Sequence, residues 1–411
     1  GTIYVTTSQA SSVTLDSLTL VNGAQLKVLG KADIESLTLD GKYSALDATT
    51  TEINELTLAN GASYNAGLVI VNTLNIDNSS MSVVTLAGVK EISLVDNAVL
   101  AITGVDGKTD LTEDLSVAEN SKLLVTFDLK TEGSITSSNG SLIQAANITA
   151  GDGLVSDGGT IKTTSGDIIA ESGAIAATQG GTIEAVGDIT AEDGNITADN
   201  GTIYTTGKIS AEKGNLIASN GSELTAGKGL TALGMDISAS TVVGNVTLTG
   251  NGESFIKDAS RVEGSITLSG GNITVSGTED GTKDAEVTGS ITGATNATLT
   301  NATVGNLTAS GVVSLTNADT GWIKDAASVS MADASTVTGD ITMAETNTGV
   351  TMDHSTLQGS IIGAVGATLE NASLVTGNLD LAGGAATIKA STVHGTITGA
   401  ATVTVSAGST V

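Results

Sequence analysis

The sequence predicts an all-β fold, a parallel β-helix (β-solenoid) with three short strands per turn and about 18–21 residues per turn. The first observation behind this is a run of apolar triplets at a nearly fixed pitch. Leu18-Thr19-Leu20, Leu37-Thr38-Leu39, Leu56-Thr57-Leu58, Leu74-Asn75-Ile76 and Ile92-Ser93-Leu94 follow one another at an almost constant step. A unit that small cannot bury its own apolar face and becomes stable only by stacking on copies of itself. The second is composition: no Pro, 52 Gly and 2% aromatic residues. Proline cannot donate to a ladder, and small branched side chains suit a narrow interior lined by strands. The third is that no segment sustains a 3.6-residue apolar period.

The chain reads as a single continuous solenoid over residues 1–411, in three blocks. Residues 1–132 carry the triplets at a period of 18–19, with turns such as Asn60-Gly61-Ala62 and a loop beginning at Asp106-Gly107-Lys108. Residues 133–238 have a period of 20–21, set by Ile148, Ile168, Ile189, Ile209 and Leu230. Side chains two apart on a strand share a face. Ile189/Ala191, Ile196/Ala198 and Ile203/Thr205 are therefore expected inside, with Thr190, Thr197 and Tyr204 outside. Residues 239–411 repeat Ser-x-Val-x-Gly-x-Ile, as in Ser335-Thr336-Val337-Thr338-Gly339-Asp340-Ile341. Stacking predicts a Val/Leu column (Val262, Val337, Leu357, Val375, Val393) beside an Ile/Leu column (Ile266, Ile341, Ile361, Leu379, Ile397). Gly339, Gly359, Gly377 and Gly395 at a fixed phase suggest a corner that needs positive φ. Insertions are expected at 277–284 and around Trp322.

Net charge bounds the partners. With 44 acids against 16 bases the chain carries −28, which repels nucleic acid and anionic membrane surfaces. No segment has the length of a transmembrane helix, so no direct membrane insertion is expected. There is no cysteine, hence no disulfide or thiolate metal site. Gly1-Thr2-Ile3-Tyr4 opens without a basic region or long apolar run, so the chain reads as a piece of something longer.

The runs from Ser335 to Met343, Ser355 to Ile361 and Ser373 to Leu381, with Leu-Thr-Leu-Ala-Asn-Gly-Ala at 56–62, resemble passenger domains of bacterial autotransporters. The resemblance implies a right-handed β-helix displayed outside the cell, at the bacterial surface. It also implies a role as an adhesin or self-associating surface protein.

Catalytic footholds are few. His354 and His394 are the only histidines. They read either as proton-transfer or metal residues or, the favoured reading, as exposed repeat positions. No Gly-x-Ser-x-Gly motif occurs. Glu171, Glu192 and Glu212 share a phase, giving either an acidic ladder able to hold a cation or a solvated corner, partly offset by Lys213. Asp106 to Asp110 and Glu279 to Asp284 are weak Ca²⁺ candidates. An outward column Thr149, Ile169, Thr190, Ser210, Thr231 is too interrupted for an ice-binding array. Trp322 is the one candidate anchor for a ligand or partner, against the favoured reading that it packs an insertion onto the solenoid.

The expected function is therefore non-enzymatic adhesion or self-association, with no cofactor and no metal. The expected partners are host or neighbouring-cell surface molecules, protein or glycan, or copies of the chain itself. The rivals are a polysaccharide-degrading β-helix enzyme and a structural filament subunit.

Overall fold

The computed structural model describes residues 2–5, 13–42, 44–104, 108–280, 282, 284–406 and 408–411. Among them every regular element is a strand. The chain forms two compact units, Gly1–Gly214 and Asn215–Val411, and their boundary falls inside the second sequence block. Each unit is a parallel β-solenoid. The loop expected at Asp106-Gly107 lies outside the described residues, and with it the start of the 106–110 candidate. Two positions of the 279–284 segment lie outside them as well.

In the first unit the triplets form one continuous internal column. Leu18, Leu37, Leu56, Leu74 and Ile92 pair turn on turn, and the register continues through Leu115, Ile135, Leu154, Ile175 and Ile196. The column two residues on begins with Leu20, Leu39, Leu58, Ile76 and Leu94, then narrows through Val117, Ser137 and Ser156 to Ala177 and Ala198. Early turns use one long strand each, such as Gln25–Asp40 and Ser63–Asp77. From Glu91 onward the turns of this unit use three short strands, and each strand pairs with the third one after it. Ile189, Ala191, Ile196, Ala198, Ile203 and Thr205 are all buried, while Tyr204 is exposed, as the alternation requires.

The second unit keeps the two expected columns and lengthens them. Val262, Val287, Val304, Thr320, Val337, Leu357, Val375 and Val393 stack in register, as do Ile266, Ile291, Leu307, Ile323, Ile341, Ile361, Leu379 and Ile397. Nearly all of these are buried, and a fully buried Val, Leu or Ile contributes about 1.5–3 kcal/mol relative to its exposed state.

Four of the repeat glycines have a different cause from the one expected, although Gly244, in the same phase, does have positive φ (127). None of Gly339, Gly359, Gly377 and Gly395 has positive φ. They are small because turns stack on them: a Cβ on Gly377 would lie 2.5 Å from the Gly359 carbonyl oxygen, and Gly395 meets Gly377 in the same way. The left-handed corner comes instead just before the repeat serine, at Ala239, Ala259, Ala334, His354, Ala372 and Ala390.

That serine holds the corner. Ser335, Ser355, Ser373 and Ser391 are buried. Ser373 Oγ donates to the Glu370 carbonyl (2.7 Å), and Ser391 Oγ to the Lys389 carbonyl (2.9 Å). Each of these two oxygens also accepts an N–H from the preceding turn. Ser355 N–H donates to Ser373 Oγ (3.3 Å), and Ser373 N–H to Ser391 Oγ (3.2 Å). A buried hydroxyl that both donates and accepts leaves no polar capacity stranded away from water.

Candidate binding face

Strand length decides where the second unit is flat. Two of its three faces use strands of two or three residues for much of their length, for example Ile266–Leu268 and Thr336–Val337. The third face uses five-residue strands: Glu253–Lys257, Asn272–Ser276, Asn296–Thr300, Val312–Thr316, Ser328–Ala332 and Gly349–Asp353. A three-residue strand with buried ends turns one side chain outward; a five-residue strand turns out three.

The middle outward position on this face is a column of hydroxyls. Thr274, Thr298, Ser314, Ser330, Thr351, Thr368, Thr387 and Thr404 pair in unbroken register. None of the eight is fully buried. Among the described residues none of these hydroxyls is hydrogen-bonded to another residue. Thr292 Oγ1 on a neighbouring face is different, lying 3.4 Å from Thr267 Oγ1. Phe255 precedes Thr274 in the column and is half-buried. Lys257 Nζ lies 5.0 Å from the Phe255 ring centroid and 2.8 Å from Asp236 Oδ1.

Four successive turns of the face are uncharged. Their twelve outward positions are Asn272, Thr274 and Ser276; Asn296, Thr298 and Thr300; Val312, Ser314 and Thr316; Ser328, Ser330 and Ala332. On a chain of net charge −28 this is the reverse of the usual solvated surface. Charge returns with Asp353 and Glu370 on later turns. The arrangement offers donors and acceptors at the spacing of the strands, about 4.8 Å.

No family model, no curated protein and no solved structure matches this chain.

Trp322 stands in regular register, not in an insertion. It occupies a corner column with Asn245, Ser265, Ser290, Asn306, Asp340, Ser360, Asn378 and Thr396. In that column the side chain of one turn accepts the next turn's N–H: Ser265 N–H to Asn245 Oδ1 (2.9 Å), Trp322 N–H to Asn306 Oδ1 (3.2 Å), Ser360 N–H to Asp340 Oδ1 (2.8 Å) and Thr396 N–H to Asn378 Oδ1 (2.9 Å). Indole has no acceptor, so Trp322 interrupts this ladder. Its ring is covered on one side by Lys324, whose Nζ is 4.4 Å from the centroid.

The remaining candidates do not converge. His354 sits at the left-handed corner with φ 46, exposed, its Nδ1 2.8 Å from Asp353 Oδ1. Hydrogen bonding by Asn371 and then by His354 holds the Asp353 carboxyl below the usual carboxylate range. His394 is exposed in the variable slot after Val393. Glu171 is paired with Lys130 (2.8 Å). Lys213 bonds Asp193 rather than Glu212, and that hydrogen bond raises the lysine above its ordinary value. Among the described residues no group of three or more His, Asp or Glu is placed to hold a metal ion.

A concavity of about 300 Å³ is lined by three acids, Glu91, Glu113 and Asp114. Asp114 Oδ1 is committed to capping the Ser134 N–H (2.8 Å). The described residues Thr278, Asp280, Thr282 and Asp284 of the 277–284 segment hydrogen-bond one another. Asp280 accepts from the Thr282 backbone and side chain and from Thr278, and these bonds keep its carboxyl low.

In the first unit Thr149, Ile169, Thr190 and Ser210 do form one column, but Ser210 is only 7% exposed. The outward hydroxyl array lies on other strands, those of the second unit's long-stranded face.

Proposed function

We propose that the chain is a non-catalytic adhesive scaffold that holds an extended partner through the five-residue-strand face of its second unit. The observation that carries this is the eight-rung hydroxyl column with no internal hydrogen bonds. One hydroxyl contributes little, because a hydrogen bond exchanged with water nets about 0.5–1.5 kcal/mol. Eight in register bind by repetition, as linked weak contacts do. Support over a polysaccharide-degrading enzyme comes from the second unit's long-stranded face, where four successive turns carry no acid at their outward positions, and from Asp114 in the three-acid concavity, which is engaged in capping the Ser134 N–H.

The reading places the chain outside the cell, as a displayed passenger of a bacterial surface protein. What supports that setting is the Ser-x-Val-x-Gly-x-Ile repeat style. Adhesion to another surface is favoured over self-association by size. Eight rungs, at most three ranks wide, cover no more than about 540 Å², below the roughly 800 Å² per partner of a stable protein pair.

Beads coated with the full chain should adhere to cell layers above the level of uncoated beads, and Ser314→Glu combined with Ser330→Glu should remove most of that excess. Equal adhesion by the native and doubly substituted chains would sink the assignment to this face.

A further inference from the structure

We infer that the partner of this face is a neutral polysaccharide chain lying along the hydroxyl column, with Phe255 as a stacking platform at one end. The inference rests on the adhesive reading and names its ligand class. Three features lead to it.

The first is charge. Twelve outward positions on four turns carry none, while the chain as a whole carries −28. An acidic glycan, a nucleic acid or an anionic lipid surface would meet repulsion from the surrounding acids and no cation among these twelve positions to offset it. A neutral polymer meets neither.

The second is hydrogen-bond chemistry. A hydroxyl both donates and accepts, and the partner that matches a periodic row of free hydroxyls is another periodic row of hydroxyls. The rung spacing of about 4.8 Å is comparable with the length of one sugar residue. The column therefore keeps pace with a glycan over several units. A globular protein partner would instead call for buried aromatic or arginine anchors, and among the twelve uncharged positions there are none.

The third is Phe255. It is one of two Phe in the chain, and it faces outward in register with Thr274. An outward aromatic in a chain that is 2% aromatic is not filling a core. Lys257 stands over one face of its ring, 5.0 Å from the centroid, and the inference assigns the other face to the C–H side of a sugar, beside hydroxyls that take the sugar's polar edge. A second copy of this chain is the poorer occupant, since the four uncharged turns cover about 270 Å² by the same strand spacing.

The test is affinity electrophoresis of the full chain in gels containing dextran, mannan or xyloglucan, with alginate and heparin as acidic comparisons, and sedimentation of the free chain alongside. At least one neutral polysaccharide should retard the native chain, and the retardation should persist from about 50 to about 500 mM NaCl, because no charge is screened. Ser314→Glu and Ser330→Glu should each weaken it about tenfold, and Phe255→Ala by a similar factor. Thr336→Glu, on a different face, should leave it unchanged. Circular dichroism and melting identify any variant that misfolds. If Phe255→Ala perturbs folding, the two serine substitutions, at exposed or half-exposed positions, decide the outcome.

Any of these results overturns the inference: no retardation by any neutral polysaccharide, retardation by the acidic ones alone, or native-like binding by both glutamate variants. Concentration-dependent dimers that Ser314→Glu abolishes would reassign the face to a second copy and overturn it too. If glycan binding fails while bead adhesion persists and stays sensitive to the glutamate variants, the adhesive reading stands and only the glycan is lost.

Discussion

Thr320 is out of character with its column. Its neighbours above and below are Val304 and Val337, it is 3% exposed, and Thr320 Oγ1 is the one buried side-chain polar atom without a partner among the described residues. Valine has nearly the same shape without the hydroxyl. Thr320→Val should stabilise the chain by about 1–2 kcal/mol, the desolvation cost of an unmade hydrogen bond. A denaturant midpoint that stays put or falls would show that the hydroxyl does have a partner. The repeat glycines teach the complementary lesson. Their phase is plain in the sequence, yet sequence cannot tell a glycine required by φ from one required by a neighbouring carbonyl. Both leave the same letter. The left-handed residues directly before the repeat serines are Ala and His, and an alanine has no conformational signature of its own.

At the scale of the strand and its corner, the serine ladder joins one turn to the next. Removing the Ser373 hydroxyl leaves the Ser355 N–H without its acceptor inside a buried corner. Ser373→Ala should cost about 1–3 kcal/mol, and hydrogen exchange should quicken at the Ser355 amide. An unchanged exchange rate there would show that the ladder bond does not protect the corner. Such corners are partly legible in advance. The Ser-x-Val phase marks an inward Val and a serine before it, because alternation leaves Val no other face. That the serine is buried and doubly bonded follows only from the stacked neighbour. The triplets likewise announce stacking. Their column runs on through Leu115 and Ile135 to Ile196, although the second-block period is more visible in the Ile148, Ile168 and Ile189 column of a different face.

Over the whole molecule, charge works against burial. A net −28 opposes compaction through self-repulsion. Raising NaCl from about 10 to about 150 mM shortens the screening length from roughly 30 to 8 Å and should raise the melting temperature; a flat response would mean that the lysine pairs already neutralise the repulsion locally. The hydroxyl face is hidden from a sequence reading for a related large-scale reason. Its rungs fall at Thr274, Thr298, Ser314, Ser330, Thr351, Thr368, Thr387 and Thr404. Loops of different length intervene, so the steps are uneven and no single period reveals the column. The corner side chains carry a further consequence. Asn378 accepts from the turn after it, and Ser373 accepts from the turn before it. Each such turn therefore brings one half of each joint and finds the other half waiting, always in the same direction. A gene that duplicated the segment from Ser373 to Ala390 would insert a layer already fitted to both neighbours and add a ninth hydroxyl to the row. Length in such a protein is an inherited quantity that can be adjusted one turn at a time.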